Sequence, residues 1–261
     1  MLGIDAAWTP HNDSGFALVE RLGGAWRLRA AASNIEEFAR ACGLDAAKGA
    51  GIAFGLVCAE RLLGGRLPDL IAVDMPLSNK PITGRRTADR LVSKRFGSAK
   101  CSTHSPLPDR PGEVGRRLQR ACEAEGYRLK TATPFAHHRS LAEIYPHPAL
   151  LRLMGVPERV KYKVVKTTKY WPKATREERH RLVRNELRRI AQRLDEVIAG
   201  VRGMVDVERP ESLSALKPVE DKIDAIVAAW VGITILEGAA EPFGDDDAAI
   251  WVPREAWAKD G

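Results

Sequence analysis

The chain has 261 residues, of which 44% are hydrophobic and 29% charged, a composition typical of a soluble globular protein with a buried core. No apolar run approaches the ~20 residues that a membrane-spanning helix needs, and the N-terminus lacks a basic region followed by an apolar one. We therefore expect a cytoplasmic protein with no membrane partner. The four cysteines have neither zinc-finger spacing nor a disulfide framework.

The net charge of +7 is distributed unevenly along the chain. Residues 1–77 carry 7 Lys and Arg against 9 Asp and Glu, residues 78–210 carry 30 against 14, and residues 211–261 carry 4 against 11. A basic middle between acidic ends favours a polyanionic partner, most often nucleic acid. The alternative is a solvated, arginine-rich surface that binds nothing.

Residues 1–33 predict a meander of three antiparallel strands, which are LGIDAAW, GFALVER and AWRLRAA with turn residues between them. Asn34 is a candidate N-cap for the next helix. Ala- and Leu-rich sequence as far as Gly65 predicts one or two helices. LIAVDMPL follows as a continuous apolar strand of the buried, parallel type.

Two basic insertions interrupt the second half of the chain. Residues 78–139 are rich in Pro and Arg and predict short helices with long loops. Residues 155–210 include a long amphipathic helix that begins with a capping box of Thr175 and Glu178. Between the insertions, LAEIYPHP predicts a strand and then a helix from about Pro148.

The last predicted element is a strongly apolar helix, VEDKIDAIVAAWVGITILEG, which begins near Val219. The order of elements is typical of a ribonuclease H-like α/β fold, in which a mixed β-sheet of a three-stranded antiparallel meander plus parallel strands is flanked by helices. We predict a single ribonuclease H-like domain over residues 1–261 with two helical, basic insertions.

Several acidic residues stand at the ends of buried elements. Asp5 and Asp74 end two apolar strands, and parallel pairing would bring the two carboxylates close enough to repel each other. Asp221 and Asp224 share a face near the start of the last helix, and Glu143 lies on an otherwise apolar strand. Each acid alone has a structural explanation, such as a turn, a cap or an ion pair. Together they favour a centre for Mg²⁺ or Mn²⁺, which prefer hard oxygen ligands.

The segments GIDAAW, VDMPL, EIYPHPAL and EDKIDAIVAAW resemble the family of predicted ribonuclease H-like nucleases, domain of unknown function 429. Similar sequence spans nearly the whole chain and includes RRTADR and WPKATREERHRL. The motifs at Asp5, Asp74 and Asp224 are also similar to those of Holliday-junction resolvases in the same superfamily. The resemblance implies a two-metal phosphodiesterase.

In such an enzyme, one ion lowers the pKa of a water molecule and the other stabilises the leaving oxygen. The catalytic residues would be Asp5, Asp74, Asp224 and Glu143. Two ions of Mg²⁺ or Mn²⁺ would be held by Asp5, Asp74, Asp221 and Asp224. Asp5 would bridge both ions because it lies on the central strand. Glu143 would be a further ligand, or would instead orient a water molecule or hold a basic residue.

We expect the basic insertions to hold the nucleic acid through arginine forks on phosphate and through lysines interleaved with aromatic rings. The predicted substrate-binding residues are Arg85, Arg86, Arg90, Lys161, Lys163, Lys169 and Trp171. Alternatively, the aromatic residues tether the loop to the core. The sequence has no helix-turn-helix, zinc finger or RNP signature, and it leaves DNA and RNA equally open.

Other functions stay open at this point. An actin-like phosphotransferase or ATPase shares the β-β-β-α-β core, although the chain has one GID opening and no glycine-rich phosphate loop there. A non-catalytic nucleic-acid-binding module would keep its binding after chelation. Hydrolysis of small phosphate esters needs the same metals. Resolvase-like enzymes are often homodimers, but nothing in this sequence marks a dimer patch.

Overall fold

The computed structural model describes residues 1–9, 12–46, 50–134 and 138–255, and within them an eight-stranded mixed sheet is flanked by helices. The strands are β1 (Leu2–Asp5), β2 (Gly15–Leu22), β3 (Ala25–Ala32), β4 (Leu70–Val73), β5 (Arg128–Leu129), β6 (Ser140–Ile144), β7 (Ala240–Gly244) and β8 (Ala249–Pro253). The helices are α1 (Ile35–Ala41), α2 (Ile52–Leu62), α3 (Thr87–Phe96), α4 (Glu113–Ala124), α5 (Pro146–Met154), α6 (Thr167–Tyr170), α7 (Arg176–Val197), α8 (Val201–Met204) and α9 (Lys217–Leu236).

The strand order in the sheet is β3-β2-β1-β4-β6-β8-β7, and β5 pairs with the start of β6. The first three strands are antiparallel, whereas β1, β4, β6 and β8 run parallel to one another. Gly23 and Gly24 turn the β2–β3 hairpin with positive φ angles that suit a two-residue loop. The predicted mixed sheet, with its meander and its parallel strands, is confirmed.

Three strands of this sheet were not predicted from the sequence. No element was predicted after the last helix, where β8 in fact adds in parallel to β6 and β7 closes the edge in an antiparallel direction. Pro242 weakens the strand pattern of β7 and suits its place at the edge of the sheet, whereas Pro253 is the last residue of β8. The two-residue β5 is too short for any periodicity.

Helix starts follow the local chemistry of the sequence. The side chain of Asn34 accepts a hydrogen bond from the amide of Glu37, and Thr175 and Glu178 form the predicted capping box of α7. Helix α5 begins at Pro146, two residues earlier than expected, because the fixed φ of proline suits the first turn.

Helix α9 lies directly on the sheet, and glycine permits this approach. A Cβ on Gly3 would lie 2.2 Å from the carbonyl oxygen of Ala225 and 2.3 Å from the amide nitrogen of Ala229. A Cβ on Gly15 would lie 2.6 Å from the carbonyl oxygen of Asp221. Because these two glycines on adjacent strands have no side chain, α9 can pack closely against β1 and β2.

Both predicted insertions pack against the sheet layers. Leu187 and Ile190 of α7 share the large hydrophobic cluster that α9 forms with one sheet face. Phe96 of α3 packs with Val252 of β8 in a smaller cluster. Within the described ranges, no helix is long and apolar enough to cross a membrane.

Candidate active site

Three aspartates from three elements meet at the carboxyl ends of the parallel strands. In the register of β1 and β4, Ile4 pairs with Val73, and the amide of Asp74 donates to the carbonyl of Ile4 at 3.0 Å. Asp5 and Asp74 are the next residues of the two strands, so they stand side by side at one sheet edge. Helix α9 brings Asp224 to the same place.

The charge of Asp224 contributes to the raised pKa of both strand-end aspartates. Burial raises the pKa of Asp5 well above its usual range, and the nearby charge of Asp224 raises it further. Burial also raises the pKa of Asp74 to about 7; Lys163 opposes this rise, and Asp224 adds to it. Burial is therefore the main cause of both shifts, and Asp74 makes a smaller contribution to the shift of Asp5.

Lys163 is the counter-ion of this cluster. Its ammonium contacts one carboxylate oxygen of Asp224 and lies 3.4 Å from Glu220 Oε1. The hydroxyl of Tyr162 donates to the other Asp224 oxygen at 2.6 Å. Burial disfavours the charge on Lys163, yet Asp224, followed by Tyr162 and Glu220, holds its pKa well above the usual range. The predicted substrate lysine therefore lies among the predicted metal ligands.

The acids outnumber the bases in this cluster, which we name the carboxylate cluster. Its carboxylates are Asp5, Asp74, Glu220, Asp221 and Asp224, and its ammonium groups are Lys163 and Lys217. Full ionisation would leave three negative charges without a partner, so the cluster must take up protons or further cations. Among the residues that the structure describes, no group of three or more Asp, Glu, His or Cys side chains has an arrangement that could hold a metal ion.

Glu143 lies apart from the other predicted catalytic acids. It pairs with Val73 across β4 and β6, one position before Asp74, so the alternation of side chains sends it to the opposite sheet face. It accepts hydrogen bonds from the amide of Leu77 at 2.8 Å and from both terminal nitrogens of Arg86 at 2.6 and 2.7 Å. Arg86 is only 9% exposed and also binds Asp89. This predicted substrate arginine is engaged in a buried ion-pair network.

The other predicted substrate residues lie outside the carboxylate cluster. Arg85 bonds Ser93 and Ser105, and Arg90 bonds Thr87 and the carbonyl of Arg85, so both brace the start of α3. Trp171 packs partly buried against the main core. The side chains of Lys161 and Lys169 are exposed.

A cleft of about 180 Å³ opens beside Asp74. It is lined by Asp74 and the Arg86–Glu143 pair, and also by Tyr145, His147, His104 and Lys166. Trp8, Pro76 and Ile250 add apolar surface. No role was predicted from the sequence for His104 or His147; the one signal for His147 is that it closely follows the strand that carries Glu143.

The chain matches the family model described as Protein of unknown function (DUF429) over residues 3–249. It belongs to the DUF429 family. In this DUF429 protein the matched region contains Asp5, Asp74 and Asp224 and every residue that lines the cleft except Ile250. No curated protein and no solved structure matches the chain.

Proposed function

We propose that this DUF429 protein is a cytoplasmic ribonuclease H-like nuclease that hydrolyses phosphodiester bonds of nucleic acid with divalent metal ions. One observation carries the proposal: a buried cluster at the ends of two central parallel strands holds five carboxyl groups and two lysines. The meander followed by parallel strands, with a helix across them, supports the ribonuclease H-like assignment.

The donor set fits Mg²⁺ or Mn²⁺ in its chemistry, because every available ligand is a hard carboxylate oxygen. Asp5, Asp74 and Asp224 would hold the metal, and Asp221, which Lys217 now binds, lies next to them. A bound divalent ion would activate a water molecule and stabilise the leaving oxygen. For Asp224 to bind the metal, Lys163 would have to give up part of its contact with that carboxylate.

The chain's own residues position this chemistry. Gly3 lets α9 approach the sheet, which sets Asp224 against the strand ends. Arg86 donates hydrogen bonds to Glu143 and, at 2.7 Å, to the carbonyl of Leu77. These bonds hold the segment after Asp74 in one conformation. In this proposal Glu143 is a positioning residue that orients Arg86 and the amide of Leu77, and no ligand role is needed for it.

The test is thermal unfolding of the wild type, of Asp5→Asn and of Asp69→Asn with Mn²⁺, Mg²⁺ or EDTA. Asp69 is a matched control because it is exposed at the opposite end of β4. Mn²⁺ should raise the melting temperature of the wild type and the control by mass action, because binding at 100 times the Kd stabilises the native state by about 2.7 kcal/mol. Asp5→Asn should not respond, and in EDTA it should be as stable as the wild type or more so.

Hydrolysis of single-stranded, duplex and branched DNA and RNA then identifies the substrate. Asp5→Asn should lose Mn²⁺-dependent cleavage, whereas Asp69→Asn should keep it. Cleavage that persists in Asp5→Asn would overturn the assignment. Binding of an oligonucleotide that is unchanged by EDTA and by Asp5→Asn, without any cleavage, would instead identify a non-catalytic binding module.

A further inference from the structure

Two cations at the cleft beside Asp74 lack acidic partners. Lys166 lines the cleft, and the guanidinium of Arg159 contacts Nε2 of His147, which also lines it. Within the described part of the chain, neither Lys166 nor Arg159 forms an ion pair with a carboxylate, in contrast to Arg86, which lines the cleft too. Uncompensated cations that face a cavity favour an anionic ligand.

The cations at the cleft lower one another's pKa values. Burial lowers the pKa of Lys166, and the charges of Arg159, Lys163 and Lys169 lower it further. Burial also lowers the pKa of His104, with Lys166 and Arg159 adding to the effect. An anion that entered the cleft would relieve these like-charge contacts.

His147 supplies a second, independent observation. It is 5% exposed and lines the cleft, yet its Nδ1 has no hydrogen-bond partner. Burial holds its pKa well below the usual range, so the ring is neutral at pH 7. A buried imidazole nitrogen without a partner is costly, and a ligand oxygen that reached Nδ1 from the cleft would satisfy it.

We propose that this cleft is a phosphate-binding subsite in which Lys166, His147 and His104 hold a phosphate group of the substrate next to Asp74. The subsite rests on the proposed function, since it would place a terminal or small-ester phosphate beside the carboxylate cluster. Glu143 and Asp89, which also line the cleft, do not oppose this, because Arg86 already binds both carboxylates. Trp8 and Ile250 offer apolar surface to the group that carries the phosphate.

The test is calorimetric titration with inorganic phosphate at constant ionic strength, in EDTA, on the wild type, Lys166→Gln, Lys166→Arg and Lys173→Gln. Lys173 is a matched control, because it is exposed in the same basic segment and does not line the cleft. Saturable binding should weaken at least about tenfold in Lys166→Gln, the equivalent of about 1.4 kcal/mol. Lys166→Arg should keep most of the affinity, and Lys173→Gln all of it. Absence of saturable binding, or equal losses in both glutamine variants, would overturn the subsite.

Two further ligands identify the source of the phosphate. A 5′-phosphorylated dithymidylate that binds at least about tenfold tighter than the same dinucleotide with a 5′-hydroxyl would assign the cleft to a strand end. Glycerol 3-phosphate that binds as tightly as the phosphorylated dinucleotide would assign it to small esters. Because EDTA is present throughout, phosphate binding without any Mn²⁺ response in the unfolding experiment would reject the nuclease and retain the subsite.

Discussion

At the scale of single residues, Asp74 should link the stability of the metal-free protein to pH. Its pKa rises from 3.8 to about 7 on folding, chiefly through burial. The native state therefore binds more protons than the unfolded chain between these values, and the free energy of unfolding falls as pH rises through them. The destabilisation is absent below the lower pKa and complete above the higher one, at about 4 kcal/mol at most.

Asp74→Asn should remove this dependence. In EDTA, urea unfolding at about pH 5 and about pH 8 should show that the substitution stabilises the protein more at the higher pH, by about 1–3 kcal/mol. Asp5 shifts in the same direction, so some decline in stability should remain in the variant. Asp69→Asn is again the control. An effect of Asp74→Asn that is equal at both pH values would contradict the assigned pKa.

At the scale of elements, the contact between β1 and α9 determines whether a site exists. Gly3→Ala would place a methyl group 2.2 Å from the backbone oxygen of Ala225, and helix backbone cannot yield as a flexible side chain would. We expect a loss of about 3 kcal/mol in urea unfolding. The variant should also lose its Mn²⁺ response, because Asp224 would move away from Asp5.

Gly84→Ala is the matched control for this helix contact. An added Cβ there meets nothing within 4 Å, and the residue does not need a positive φ. Its stability should stay within about 0.5 kcal/mol of the wild type. Equal behaviour of the two alanine variants would mean that α9 can shift without cost, and the close approach would then not position Asp224.

At the scale of the whole molecule, the charge is divided between a basic middle and acidic ends. If the protein contacts about 3–4 phosphates of a single-stranded oligonucleotide, its affinity for that oligonucleotide should fall about 30-fold between 50 and 200 mM salt. Fluorescence anisotropy in EDTA measures this without cleavage. The double variant Lys161→Gln/Lys169→Gln should reduce the slope of log affinity against log salt by about 1.4, at about 0.7 per lost contact.

Arg29→Gln/Arg66→Gln is the matched control, because it removes the same charge outside the basic segment. Both arginines pair with Glu20 on the β2–β3 side of the sheet. Its salt slope should equal that of the wild type. If both double variants shift the slope equally, net charge alone attracts the oligonucleotide, and residues 155–210 have no special role.

The sequence by itself determined the local and periodic features. Alternating and continuous apolar runs predicted β1 to β4 and β6, and side-chain caps predicted the starts of α1 and α7. The pairing of Asp5 with Asp74 also followed from sequence, because parallel neighbours must bring their carboxyl ends to one edge. These features depend on residues close together in the chain or on one simple strand pairing.

Only the tertiary structure decided the partners of each charge. Arg86 and Lys163 looked alike as substrate cations, yet one is bound by Glu143 and the other by Asp224, 57 and 61 residues away. Whether a cation is free depends on which distant acid reaches it, and composition carries no such information. The same reason explains why the sequence did not predict that Lys166 and Arg159 lack acidic partners. The absence of a partner is visible only when the positions of all neighbouring residues are known.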